Sequence, residues 1–181
     1  MQRITAIGVG FLVSIATGFA AEQKTTPGWI KNDPAKKATT LDIVSGWNPD
    51  NGALNFNGYS NDQATIVVPV NWTVRVNFVN HDGMLPHSML VTKPYAKDAI
   101  PPQAGVSEVA ISKAYSRDPE SGIGPNEKDN FSFVPHNAGD YWVFCGVPGH
   151  GVQGMYIGFK VDPAADQAYL LRASDAPAGR E

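Results

Sequence analysis

Short runs with the hydrophobic pattern of β-strands recur along most of the chain. In residues 73–79, apolar side chains alternate with Arg75 and Asn77, which is the period of a strand with one buried face. Clusters of Asn, Gly and Pro separate such runs, as at residues 48–52. The pattern therefore predicts an all-β sandwich or barrel. Its strands are predicted at residues 41–45, 53–59, 64–70, 73–79, 88–92, 130–134, 140–144 and 155–161.

One long stretch lacks this pattern. Residues 93–128 contain five prolines and three glycines, and only residues 107–116 show helical spacing. We interpret this stretch as a long insertion between core strands, before the C-terminal strand pair. A loop of this length is either functional or a simple insertion. The core domain is predicted over residues 41–162, after a polar N-terminal arm at 21–40. A C-terminal tail follows at 163–181, with helix-like residues 164–173.

The first residues have the features of an export signal. Arg3 precedes an apolar run from Ile4 to Phe19, and small residues stand at Gly18 and Ala20. These features predict a signal peptide at residues 1–20 and a periplasmic or otherwise exported protein. The alternative is a retained anchor on the outer face of the cytoplasmic membrane, because the run approaches the ~18 residues of a membrane span.

Charge and cysteine content narrow the function. The chain has 14 basic and 17 acidic residues and a net charge of −3, which disfavours binding to nucleic acid. Its single cysteine, Cys145, cannot form a disulfide within the chain. An exported lone thiol is either buried and inert or itself a ligand.

The sequence around Cys145 favours a metal ligand. His150 follows Cys145 with four residues between them, and Met155 follows His150 at the same spacing. Two histidines, one cysteine and a weak axial methionine form the trigonal site of blue copper, and thiolate and thioether select copper among first-row metals. Glycines in the loop allow a tight return of the chain. The sequence thus predicts a copper site made largely by one loop after a strand.

The remaining ligand should be a distant histidine. His87 ranks first because it begins a predicted strand after Pro86. His81 ranks second because its Asn-His-Asp-Gly setting is typical of an exposed turn, and His136 ranks third because its turn should lie at the opposite end of the sandwich. The candidates for the axial position besides Met155 are Met84, Met89 and Gln153.

The segment around His87 and the segment from Cys145 to Met155 resemble the ligand segments of cupredoxins, the type 1 blue copper proteins. The four-and-four spacing is similar to that of rusticyanins and sulfocyanins, and Phe144-Cys-Gly-Val-Pro-Gly-His-Gly151 favours sulfocyanin. The resemblance implies a Greek-key β-sandwich with one mononuclear copper, His87, Cys145 and His150 as equatorial ligands and Met155 as the axial ligand. Ser88 replaces the Asn that usually joins the two ligand loops, and Asn80 is a candidate substitute.

The resemblance also implies a function. We expect a monomeric carrier of single electrons between redox partners such as a cytochrome or a terminal oxidase, with no substrate turnover of its own. The alternative is a copper nitrite reductase or oxidase component, which needs further histidines for a second copper. A copper chaperone is a third hypothesis, although the chain has only four methionines, and an adhesion domain with an incidental cysteine is a fourth.

Overall fold

The computed structural model describes residues 22–172, 176 and 179–181. The predicted signal peptide at residues 1–20 lies outside the described residues. In the described part, the chain forms ten strands and three short 3₁₀ helices. Within these described residues, no helix combines the length and apolar character needed to cross a membrane.

The strands form two sheets. One is six-stranded in the order β1-β10-β4-β9-β8-β6, and the other is four-stranded in the order β2-β3-β5-β7. This architecture confirms the predicted all-β, cupredoxin-like Greek-key sandwich. The strands are β1 (Gln23–Thr25), β2 (Ile30–Asp33), β3 (Ala38–Ser45), β4 (Ala64–Pro69), β5 (Thr73–Asn80), β6 (Leu90–Thr92), β7 (Lys128–Phe133), β8 (Gly139–Phe144), β9 (Tyr156–Asp162) and β10 (Tyr169–Arg172).

The core lies between the sheets and reaches the candidate ligands. On β5, Val74, Val76 and Phe78 are buried while Arg75 and Asn77 are exposed, as the alternation predicted. β5 pairs with β3 in parallel and with β7 antiparallel, so both of its edges are occupied. Cys145 and Met155 belong to the same buried cluster as the apolar side chains of β5. The candidate site is therefore continuous with the hydrophobic core.

Two predicted elements differ from the structure. Residues 53–59 form turns instead of a strand, because Ala53, Asn57 and Gly58 have positive φ angles of 66°, 51° and 87°. Phe56 makes isolated bridges there, one to Ser45 and one to Tyr59. In the insertion, the helical spacing at 107–116 gives only a 3₁₀ turn at Val106–Glu108.

The strands also extend past both predicted boundaries of the core domain. β1 and β2 fall in the predicted N-terminal arm, and β10 falls where the tail looked helical. β10 pairs with β4 on one side and with β1 on the other. Without β10, β4 would be an open sheet edge, which can pair with another chain. This long-range pairing outweighs the helical spacing of residues 164–173.

The insertion between β6 and β7 covers the outer face of the six-stranded sheet. Tyr95 contacts Trp142 and Phe144 edge-on, with ring centroids 6.1 and 5.4 Å apart. Backbone N–H groups of Val91 and Ala110 donate to the carbonyls of Ala114 and Val91 at 2.9 and 2.8 Å. The insertion thus packs on the strands that carry the candidate ligands.

Candidate metal centre

The loop between β8 and β9 holds three predicted ligands through its own backbone. Cys145, directly after β8, donates its N–H to the carbonyl of Met155 at 3.1 Å. Met155 in turn donates to the carbonyl of His150 at 3.0 Å. Gly149 and Gly154 have φ angles of 82° and 94°, which residues with a β-carbon rarely adopt. The glycines therefore let the loop fold His150 back over Cys145.

His87 completes a cluster of three donor side chains. One ligand atom from each of His87, Cys145 and His150 lies within 4.8 Å of the other two. Cys145 Sγ is 3.4 Å from His150 Nδ1, and the two imidazole ring centroids are 4.9 Å apart. His87 and Cys145 are fully buried, whereas His150 is 7% exposed. The structure thus brings together the three residues predicted as equatorial ligands.

The two ring nitrogens of His87 have different surroundings. Nε2 is 3.0 Å from Asp82 Oδ2. Within the described residues, Nδ1 is buried and has no hydrogen-bond partner. A buried polar atom without a partner costs about 1–3 kcal/mol. Coordination of a metal would satisfy this nitrogen, so the residues fit a metal centre.

Burial sets the proton affinities of the three donors. It lowers the pKa of His87 in spite of Asp82, and it lowers the pKa of His150 to about 4, with a smaller effect from the charge of His87. Both imidazoles are therefore neutral near pH 7 and keep a lone pair for a metal. Burial also raises the pKa of the Cys145 thiol, against hydrogen bonds from Ser88 and Val147. A bound metal ion would displace the thiol proton.

Ser88 joins the two ligand loops. Its hydroxyl donates to the carbonyl of Pro119 at 2.6 Å and accepts the N–H of Gly146 at 2.9 Å. Its own N–H points at Cys145 Sγ at 3.5 Å. Ser88 thus makes the connection for which Asn80 is a candidate from the sequence. The side chain of Asn80 instead donates to the carbonyls of Leu85 and Ile123.

The insertion forms the outer wall of the centre. His87 and Ile123 exchange two backbone hydrogen bonds, of 3.1 and 2.8 Å. On the cysteine loop, Gly149 donates to the carbonyl of Pro102 at 2.7 Å, and Ala104 donates to the carbonyl of Gly146 at 3.1 Å. Sequence reasoning missed this role because backbone hydrogen bonds between distant segments leave no residue pattern.

Comparison with known proteins places the chain in a family. The family model for the sulfocyanin (SoxE) domain matches residues 28–171. The chain belongs to the sulfocyanin family. It is 28% identical over 125 residues to sulfocyanin of Sulfolobus acidocaldarius, covering 67% of this chain and 62% of the relative. It is 29% identical over 103 residues to rusticyanin of Acidithiobacillus ferrooxidans, covering 56% of this chain and 63% of the relative.

The aligned region thus spans less than two thirds of the length of each curated relative. Among solved structures, the chain is similar to reduced auracyanin from Roseiflexus castenholzii. That match has a TM-score of 0.49 and 23% identity, and it covers 68% of this chain and 97% of the other.

Family and donor set agree on the cofactor. Members of the sulfocyanin family are cupredoxins, and the cluster offers one thiolate and two neutral imidazoles. That combination of soft sulfur and imidazole suits copper. The cofactor of this protein is one type 1 copper.

The two remaining histidines lie away from the cluster. His81 is exposed, with its ring centroid 6.4 Å from that of Trp47. His136 Nδ1 is 2.8 Å from Asn71 Oδ1, beside the start of β5. Since the ligand loop containing His87 follows the end of β5, His136 lies at the opposite end of the sandwich, as predicted.

The axial position remains a prediction for Met155. Its side chain is fully buried in the core cluster that also contains Cys145. Of the competing candidates, Met84 is 85% exposed and Met89 is buried in the core. The amide of Gln153 donates to the carbonyl of Gly149 from an exposed position. The backbone hydrogen bond between Cys145 and Met155 keeps Met155 the preferred axial group.

Proposed function

We propose that this protein is an exported carrier of single electrons. The observation that carries the proposal is the buried cluster of His87, Cys145 and His150, whose ligand atoms lie within 4.8 Å of one another. Bound copper would supply a one-electron Cu(I)/Cu(II) couple there. The surrounding residues would hold the ligands, exclude water and set the reduction potential.

The fixed backbone around the centre favours electron transfer. Ser88 connects the two ligand loops, and the insertion holds His87 from outside through Ile123. A rigid ligand set changes little between oxidation states, which keeps the reorganisation small. The N–H of Ser88 stabilises negative charge on the Cys145 sulfur at 3.5 Å. Such hydrogen bonds outside the ligand set tune the potential.

The surface beside His150 suits brief contact with a redox partner. Met84 and Leu85 lie in the His87 loop and Val152 lies in the His150 loop, and they are 85%, 38% and 56% exposed. A small apolar area near the ligand that lies closer to the surface favours transient docking over permanent assembly. We propose a monomer that exchanges electrons with a cytochrome or a terminal oxidase.

The enzymatic alternative is less well supported. A second copper would need His81 and His136, which lie beyond opposite ends of β5. Eight strand residues span about 26 Å at roughly 3.3 Å per residue. Among the described residues, one cluster contains three or more His, Cys, Asp or Glu side chains that could hold a metal ion. It is the centre already described.

The test is a turnover measurement. Reduced, copper-loaded protein is mixed with nitrite and separately with oxygen, and reoxidation and product are followed. We expect a slow single oxidation, together with fast exchange with a reduced or oxidised cytochrome. Repeated turnover at rates typical of enzymes, ~1–1,000 per second, would contradict the carrier function.

Export is proposed from the sequence of residues 1–20. N-terminal sequencing of the native protein should begin at Ala21 or Glu22 if the signal peptide is removed. Recovery of intact Met1 in a membrane fraction would favour the retained anchor instead.

A further inference from the structure

Asp82 is a buried carboxylate inside the first ligand loop. Its side chain is 8% exposed. Oδ1 accepts the N–H groups of Met84 and Leu85 at 2.8 and 3.1 Å, which closes the turn. The N–H of Asp82 donates to Asn80 Oδ1 at 3.0 Å. The backbone and one carboxylate oxygen of Asp82 are thus held in place.

The second oxygen faces His87. Oδ2 lies 3.0 Å from Nε2, and the histidine ring is fully buried. When Nε2 carries the proton and donates it to Asp82, Nδ1 keeps its lone pair and faces away from the carboxylate. Nδ1 is also the ring nitrogen that lacks a partner in the described part of the chain. A carboxylate–histidine pair of this kind fixes both the tautomer and the orientation of a metal ligand.

We infer that Asp82 is a positioning residue that holds His87 with Nδ1 toward the centre and biases bound copper toward its oxidised state. The inference rests on the proposed function. A negative charge next to a ligand interacts more strongly with a divalent than with a monovalent ion, and burial strengthens the interaction. Among the described residues, the carboxylate contact to a histidine of the cluster is the one between Asp82 and His87.

A purely structural role for Asp82 is the competing explanation, because Oδ1 closes the turn. Asp82→Asn separates the two roles. The asparagine keeps an oxygen for Met84 and Leu85, but it loses the charge and places an N–H donor opposite His87. Asp50→Asn is the matched control. It removes one exposed carboxylate on the 3₁₀ helix Asp50–Ala53, whose Asn51 donates to the carbonyl of Gln153 in the cysteine loop.

The experiment compares Cu(II) affinity and reduction potential in the wild type and both variants. We expect Asp82→Asn to bind Cu(II) 10- to 100-fold more weakly, as is usual when a carboxylate partner of a ligand is lost. Its potential should rise, by 59 mV for each tenfold loss of Cu(II) affinity relative to Cu(I). Asp50→Asn should match the wild type, and Asp82→Glu should return the potential toward the wild-type value. Equal values in Asp82→Asn and Asp50→Asn would overturn the inference.

A second measurement uses the metal-free protein and is independent of folding in the variants. Nitrogen-15 NMR of the wild type should show the His87 proton on Nε2. In a folded Asp82→Asn protein the proton should move to Nδ1. An Nδ1 proton in the wild type would overturn the inference. If copper bound without a thiolate charge-transfer band, the proposed function would fail, while the tautomer would still decide the role of Asp82.

Discussion

The two histidines of the centre are held in different ways. His87 is fully buried, bonded through its backbone to Ile123 and through its ring to Asp82. His150 is 7% exposed, and its loop is held by backbone hydrogen bonds. Both ligands are buried, but His150 lies closer to the surface, two positions before exposed Val152. We therefore expect the two histidines to have different roles: His87 fixes the geometry of the centre, and His150 provides the path for electrons to a partner.

Removing each histidine in turn tests the difference between His87 and His150 most directly. His87→Gly and His150→Gly should both lose the thiolate charge-transfer band of the copper-loaded protein. Added imidazole should restore the band in His150→Gly and far less in His87→Gly, because the cavity left by His150 lies closer to solvent than the cavity left by His87. Visible absorption during an imidazole titration measures this difference.

His81→Gly and His136→Gly are the controls, and both should keep the band. Loss of the band in His81→Gly but not in His87→Gly would show that the distant ligand is misassigned. Equal rescue by imidazole at both sites would contradict the contrast between a buried and a surface histidine.

Packing of the insertion against the cysteine loop should appear as a stability difference between two glycines. A β-carbon at Gly146 would overlap the carbonyl oxygens of Ala104 and Pro119, whereas one at Gly83 meets nothing within 4 Å. Gly146→Ala should therefore destabilise the metal-free protein by about 1–3 kcal/mol. Gly83→Ala should stay within about 0.5 kcal/mol of the wild type. Chemical denaturation tests this. An unchanged denaturation midpoint in Gly146→Ala would show that the insertion is not tightly packed against the cysteine loop.

Replacement of Met155 should shift the potential without removing the centre. Met155→Leu preserves volume in the core, so the protein should stay folded and blue. Its reduction potential should rise, because the thioether donates more to Cu(II) than leucine can. Met89→Leu, in the same core cluster, is the control and should leave the potential unchanged. A lower potential in Met155→Leu would argue against an axial role.

The last effect is a pH dependence of the metal-free protein. Burial lowers the pKa of His150 to about 4 from an ordinary value of 6.5. As the pH falls from 6.5 toward 4, the unfolded chain takes up a proton that the folded chain refuses, so the free energy of unfolding decreases. Above pH 6.5 the imidazole is neutral in both states, and His150 no longer makes the stability depend on pH.

Urea denaturation between pH 7 and pH 4.5 measures this change. His150→Gln removes the titrating group and should flatten the profile relative to the wild type. The same slope in both proteins would show that His150 does not titrate in this window.

Local patterns predicted the strands well and the ends of the chain poorly. Alternation along residues 73–79 identified β5 and its buried face, because a strand with one buried face alternates apolar and polar residues. β10 could not be found in this way, since its partner β4 lies about a hundred positions earlier in the chain. Residues 53–59 looked like a strand, but the left-handed turn at Asn57 and Gly58 breaks that run.

The same division holds at the centre. His87, Cys145 and His150 were predicted from residue types and spacing, and the structure brings them together. The residues around Asp82 have the pattern of an exposed turn, yet Asp82 is buried against His87. A turn sequence does not reveal which of its side chains points inward. A carboxylate five residues before a candidate ligand was the available signal, and it is weak.

Titration of the wild-type protein with Cu(II), followed by visible absorption, tests the central claim most directly. One equivalent should produce an intense thiolate charge-transfer band that one electron per protein abolishes and reoxidation restores. Cys145→Ala should stay folded and show no such band. A wild-type protein without the band, or a Cys145→Ala protein that keeps it, would contradict a one-electron copper centre at this cluster.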